Sequence, residues 1–233
     1  MCDKGGDKGG DKGGTVRSRA VTQDLDAGDF SSWLTGMQRA LRGEQESVVP
    51  CDGCTACCTS SQFVHIAPDE TDALSHIPSE LLFPAPSLPR GHVVLGYDER
   101  GHCPMLIDNR CSIYEHRPRA CRTYDCRIFP AAGVDIDDDD KSLIAERIAR
   151  WRFRLPTEAD RAGRDAVRAA ATFLVEHPDE LPDGVAPQTS TQHAVLAVEI
   201  HDAFFGPDDP DPAEVRLVLR SRRARLAAAE CDG

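Results

Sequence analysis

What most limits how this chain can fold is the placement of its cysteines. Of ten in the sequence, eight fall into two blocks. The first is Cys51-Asp-Gly-Cys54-Thr-Ala-Cys57-Cys58, and the second runs from Cys103 through Cys111 and Cys121 to Cys126. A C-x-x-C unit turns two sulfurs toward one ion. Two such units overlap in the first block, sharing Cys54, and Gly53 suits the turn between Cys51 and Cys54. Zinc takes four ligands with sulfur at about 2.3 Å, and iron–sulfur clusters also take four thiolates. Eight cysteines therefore fit two four-coordinate centres, or one centre with spare thiols, and the pattern does not separate zinc from iron. Cys2 and Cys231 lack partners at ligand spacing and are left out of the set.

Compartment decides whether these thiols are ligands or disulfides. Met1–Arg19 has no apolar run of the signal-peptide kind, and nothing approaches the roughly 20 apolar residues of a membrane span. A cytoplasmic protein is expected, and in a reducing compartment clustered cysteines are metal or redox groups before they are disulfides. Adjacent Cys57 and Cys58 also lack the geometry for a mutual bridge. Unconventional export would favour disulfides instead. The balance of 27 Lys+Arg against 39 Asp+Glu gives a net charge of −12, which argues against nucleic acid and anionic lipid as partners.

The rest of the chain organises around the blocks. Three Asp-Lys-Gly-Gly repeats near the start have nothing apolar to bury, so residues 1–28 read as a flexible tail. Asp29 is placed to cap a helix reaching about Arg42, with Trp33 as a core anchor. Residues 29–130 read as the cysteine-cluster domain: strands at Gln62–Ile66 and His92–Tyr97, a short helix over Pro68–His76, a hairpin turning at Asp108-Asn109, and a short helix from Pro118 carrying Cys121. Residues 131–141 read as an acidic linker. Residues 142–229 read as a helical region, with helices over 142–153, 158–176 and 191–205 and a last one starting at Asp211-Pro212. The fold class expected is α+β: a small, metal-stabilised, cysteine-rich domain with short strands and a hairpin, packed with a mainly helical C-terminal half.

Two finer expectations follow. Two thiolate centres concentrate a charge of roughly −4, which needs nearby cations. The segment Arg100–Arg127 holds six arginines and no lysine, as such a site would recruit, with solvated surface arginine as the plain alternative. If Asp108-Asn109 is a two-residue loop, Leu106 pairs with Cys111. Strand alternation then sends Cys103 to the opposite face and a different centre, whereas a three-residue loop reverses this.

These residues resemble the YkgJ-type cysteine-cluster family, described as zinc- or iron-chelating CxxCxxCC domains. The matching pieces are Cys51-x-x-Cys54-x-x-Cys57-Cys58, Cys103-Pro-x-Leu, and Cys111-Ser-Ile-Tyr-x-x-Arg117-Pro118-x-x-Cys121-Arg122-x-Tyr124-x-Cys126, over about residues 50–130. The resemblance implies metal chelation by all eight cysteines. A related cysteine motif in flagellin lysine N-methylases offers an enzymatic analogy, which nothing in residues 131–233 carries over.

Weaker signals were weighed against plainer readings. His102 and His116 lie near the cysteines and could replace one of them as a ligand, but read better as supporting or surface groups, and His65 and His76 carry no pattern. Asp135, Asp137 and Asp139 with Glu146 have calcium-loop spacing, but Asp140 stands where that loop needs glycine, so a solvated linker is the better reading. Arg216, Arg220, Arg222, Arg223 and Arg225 make the last helix basic, as a salt-bridged surface helix is. Three functions remain: a metal-binding protein storing or sensing zinc or iron; an iron–sulfur enzyme such as a protein-modifying transferase, with unknown catalytic residues; and a structural zinc module presenting helices to a protein partner.

Overall fold

The computed structural model describes residues 23–221, apart from 52, 87, 137–140, 183–184, 207–209, 212 and 214. The architecture is α+β, with helices packed around one large apolar core and short strands in three small sheets.

Helix α1 (Phe30–Leu41) buries Phe30, Trp33, Leu34, Met37 and Ala40, one stripe at helical spacing. Asp29 holds the N-cap position as expected, but its side chain makes no capping bond. It pairs instead with Arg154 Nε at 2.8 Å. Helix α6 (Glu158–Glu176) starts on a capping box: Thr157 accepts from the Asp160 amide, and the Asp160 carboxylate accepts from the Thr157 amide. Its inward face is made of small residues, Gly163, Ala166, Ala170 and Ala171, so α1 can approach closely. A Cβ on Gly163 would stand 3.3 Å from Leu34 Cδ2. Helix α7 (Ser190–Ile200) is apolar on most sides because it sits among α1, α6 and the short helix α4 (Ile128–Ala132). The described part of the last helix, 215–221, adds Val215 and Leu219 to the same core. Asp211 accepts the Ala213 amide as the start expected there.

Three differences from the sequence reading share one cause, which is long-range pairing. Leu25–Asp29 forms strand β1, inside the stretch read as tail. Trp151–Arg154 forms strand β7, where a helix over 142–153 was expected; that helix, α5, stops at Ile148. The two strands pair in parallel, Leu25 opposite Trp151 and Asp29 opposite Arg154, around a bulge at Ala27. The third difference is helix α4 (Ile128–Ala132), which ends on left-handed Gly133 and is buried in the helical core. The start of the supposed linker is therefore core, and α1 belongs with the C-terminal helices. The aspartates at 137, 139 and 140 lie outside the described residues, as do Arg222, Arg223, Arg225, Cys2 and Cys231.

The cysteine segment hangs from this body on a second, smaller core. Strands β2 (Val64–Ile66), β3 (Leu82–Pro84) and β4 (Val93–Leu95) form an antiparallel sheet in the order β2-β4-β3. Helix α2 (Thr71–His76) and the hairpin of β5 (Leu106–Ile107) and β6 (Arg110–Cys111) complete it. Its buried apolar residues are Ile66, Ala73, Ile77, Leu95, Met105 and Ile113.

Candidate metal centre

The local backbone explains how each cysteine is presented. Gly53 adopts φ +77°, and the Cys54 amide donates to the Cys51 carbonyl at 2.8 Å, closing the turn that C-x-x-C needs. Cys57 and Cys58 lie on a 3-10 turn, Ala56–Thr59. Next to it, the Cys103 amide donates to the Cys58 carbonyl at 2.7 Å, which brings the second block onto the first. Cys121 rides on α3 (Arg119–Thr123), with Pro118 at its N-cap. Buried Glu70 fixes the start of α3: its carboxylate accepts the Ala67 amide at 2.9 Å and the Arg119 amide.

The hairpin has the two-residue loop, with Leu106 opposite Cys111 and Asp108 and Asn109 both at positive φ. The inference drawn from that register nevertheless fails. Alternation was extended back to Cys103, but a turn intervenes, closed by the Leu106 amide on the Cys103 carbonyl at 2.9 Å. Cys103 and Cys111 both pack on the smaller core, and each raises the pKa of Cys58 and Cys121.

Mutual influence and packing divide the thiols in a way that cuts across the two blocks. Cys126 feels Cys51 and Cys54, and packs on the helical core. Cys103 and Cys111 pack on the smaller core, and both act on Cys58 and on Cys121. Cys57 stands between, acting on Cys51 on one side and on Cys58, Cys103 and Cys121 on the other. Burial raises the thiol pKa of Cys51 and Cys103, and pushes Cys121 and Cys126 up to about 12. A hydrogen bond between neighbouring thiols draws Cys57 down to about 7 and sends Cys58 upward. Among the described residues no three of these sulfurs lie within 4.8 Å of one another, so each group is a loose neighbourhood of thiols and not a preformed tetrahedral site.

The groups surrounding the thiols include some that sequence reasoning missed. The chain's two tryptophans donate to consecutive residues: Trp33 Nε1 to Asp125 at 3.0 Å, and Trp151 Nε1 to Cys126 Sγ at 3.2 Å. Arg147 covers the Trp151 ring at 4.9 Å, donates to the carbonyls of Pro50 and Cys51, and lowers the Cys51 pKa against the effect of burial. Only the scarcity of tryptophan marked these positions in advance. The arginines of the second block are mostly committed elsewhere. Arg100 pairs with Asp98, Arg119 with Asp69, and Arg122 with Glu46. Arg117 acts on thiols, lowering the pKa of Cys57 and Cys121.

Arg127 is buried against Asp125 at 2.7 Å and also donates to the carbonyls of Ala27 and Val48. With Trp33 and Ser47 on the same carboxylate, Asp125 ties β1, α1 and the approach to Cys51 to the residue before Cys126. A cleft of about 270 Å³ lies beside this knot, lined by Trp33, Met37, Gln45, Asp125 and Arg127 among others.

The family model for CxxCxxCC, described as "Putative zinc- or iron-chelating domain", matches residues 50–145. Residues 50–145 are similar to the CxxCxxCC family. The CxxCxxCC domain thus takes in every grouped cysteine and ends inside α5, short of Trp151. Metal binding by zinc or iron is the property this family brings. No curated protein and no solved structure matched the chain. Among the described residues no helix is long and apolar enough to cross a membrane.

Proposed function

We propose that this is a cytoplasmic metal-chelating protein in which all eight cysteines are thiolate ligands of two centres. One takes Cys51, Cys54 and Cys126, the other Cys58, Cys103, Cys111 and Cys121, and Cys57 stands between them to complete the first. The observation that carries this reading is the packing of Cys126 on the helical core while Cys103 and Cys111 pack on the smaller one. The donor set fits a soft or borderline metal: thiols, an indole N–H aimed at one sulfur, and guanidinium groups at each end. Bound metal supplies cross-links that this chain's small core lacks. Burial keeps the Cys51, Cys103, Cys121 and Cys126 thiols protonated in the absence of metal, so binding there releases protons and weakens as pH falls.

Anaerobic purification followed by metal analysis and a visible spectrum tests the proposal. Two four-thiolate centres predict either two zinc ions per colourless chain, or iron with acid-labile sulfide in brown protein. A single zinc at about 2.3 Å from four sulfurs must bring them within roughly 4 Å of each other, whereas a cluster spans a wider gap. Protein that folds without metal and keeps free thiols overturns the proposal. So does a Cys54→Ser, Cys121→Ser double variant that binds metal normally. Colourless zinc protein would also remove an iron–sulfur enzyme from consideration.

A further inference from the structure

Outside the thiol groups, one place among the described residues brings three ligand atoms of His, Cys, Asp or Glu within 4.8 Å of one another: Asp72, His76 and His116. Asp72 and His76 are four residues apart on α2, so one helical turn sets them on a common face. His116 arrives from the 3-10 turn Tyr114–His116, which packs against α2. The two imidazoles lie face to face, with centroids 3.5 Å and planes 6° apart. The Asp72 carboxylate stands 3.0 Å from His116 Nδ1 and 3.7 Å from His76 Nδ1. All three side chains reach solvent, at 67%, 39% and 41% exposure for Asp72, His76 and His116. In the sequence His76 carries no pattern and His116 is read only against the nearby cysteines, because His116 lies far along the chain from Asp72 and His76.

Two imidazoles and one carboxylate side by side on an exposed face form the donor set of a borderline divalent ion once the stacked rings turn to aim one nitrogen each at it, with water filling the remaining positions. We propose that Asp72, His76 and His116 form a surface site for a divalent transition-metal ion such as zinc, separate from the cysteine groups. An ion there replaces the hydrogen bond between Asp72 and His116 with bonds to the metal, and so clamps α2 to the turn. That turn lies in the segment between Cys111 and Cys121, so an occupied site steadies the stretch that presents both thiols. The plainer account is a stacked surface histidine pair whose Nδ1 atoms are both hydrogen-bonded, His116 to the Asp72 carboxylate and His76 to the Asp72 carbonyl at 2.8 Å and Ser75 Oγ at 3.1 Å, and it predicts no metal at this place.

The test titrates cobalt(II) chloride into the full chain after its thiol sites have been saturated with zinc. The expected result is one further cobalt per chain, with d–d absorption and no thiolate-to-cobalt charge-transfer band. His76→Gln and His116→Gln should each weaken that binding at least about tenfold, with unchanged far-ultraviolet circular dichroism because the side chains are exposed. Equal cobalt stoichiometry and affinity in the wild type and the double histidine variant overturns the proposal. So does a thiolate band accompanying the extra cobalt. The comparison is between wild type and histidine variants, so it reads the same whether or not the cysteines hold metal.

Discussion

The helical body and the cysteine segment belong to one chain but are held by different forces. In the body, α1, α4, α6 and α7 close a continuous apolar core that includes Phe30, Phe129, Val167 and Ile200. In the segment, six apolar residues share a core with the sides of Cys103 and Cys111. Hydrophobic burial of that size does not offset the ordering of so many loop residues, and small domains of this kind rely on metal or cross-links. The contrast teaches that, on the proposed reading, the cysteine segment depends on metal for its fold while the helical body does not.

The largest test of that contrast is metal removal. Binding energy at structural thiolate sites is folding energy, on the order of 10 kcal/mol per ion. Chelation should therefore abolish hydrogen-exchange protection through β2–β4 and α3 while α6 and α7 keep theirs. Uniform loss, or none, would break the distinction.

Asp125→Ala should weaken both regions at once. It leaves the Arg127 guanidinium buried without its carboxylate and frees Trp33 and Ser47. Breaking such a pair costs about 3–5 kcal/mol, measurable by denaturant unfolding of the metal-loaded protein. A smaller effect should separate the two thiol groups. Trp151→Phe removes the N–H aimed at Cys126 and should lower metal affinity there about tenfold, leaving the group around Cys121 unchanged in a competitive titration.

The smallest effects are confined to the body. Thr157→Ala removes the α6 capping box at a cost of about 1 kcal/mol, read as a lower melting temperature with metal content unaltered. The same box makes an acid-range prediction. Hydrogen bonds from Ser31 and Thr157 hold the Asp160 carboxyl well below its usual range. A depressed folded-state pKa contributes stability that is present above about pH 4 and is lost as pH falls further. Asp160→Asn should flatten that part of the stability profile, monitored by thermal melts between about pH 5 and pH 2.

How much was legible in the sequence follows the range of the forces. Helix α6 was readable from end to end, because its cap and its apolar period are both local. The hairpin was readable because two Asx residues tolerate positive φ. Strands β1 and β7 were not: each is a strand only because the other lies beside it, and Ile144, Ile148 and Trp151 continue a helical spacing past the true end of α5. The eight cysteines announced themselves by spacing, yet their division did not. A single turn between Cys103 and Leu106 undoes the alternation on which the assignment rested. The ion pairs of Arg100, Arg119 and Arg122 lay equally beyond reach, since in each case the sequence shows the arginine but not which carboxylate it meets.

The parallel pairing of β1 with β7 also sets an order of events. Leu25 cannot meet Trp151 until the whole cysteine segment has been synthesised, and closing so long a loop is an entropic cost met late. During that interval the cysteines have been made while the indole that meets Cys126 and the Arg147 that meets the Cys51 carbonyl are not yet in place. If the thiols are ligands as proposed, metal delivery has a natural window before the last strand docks, and afterwards the same strand acts as the latch.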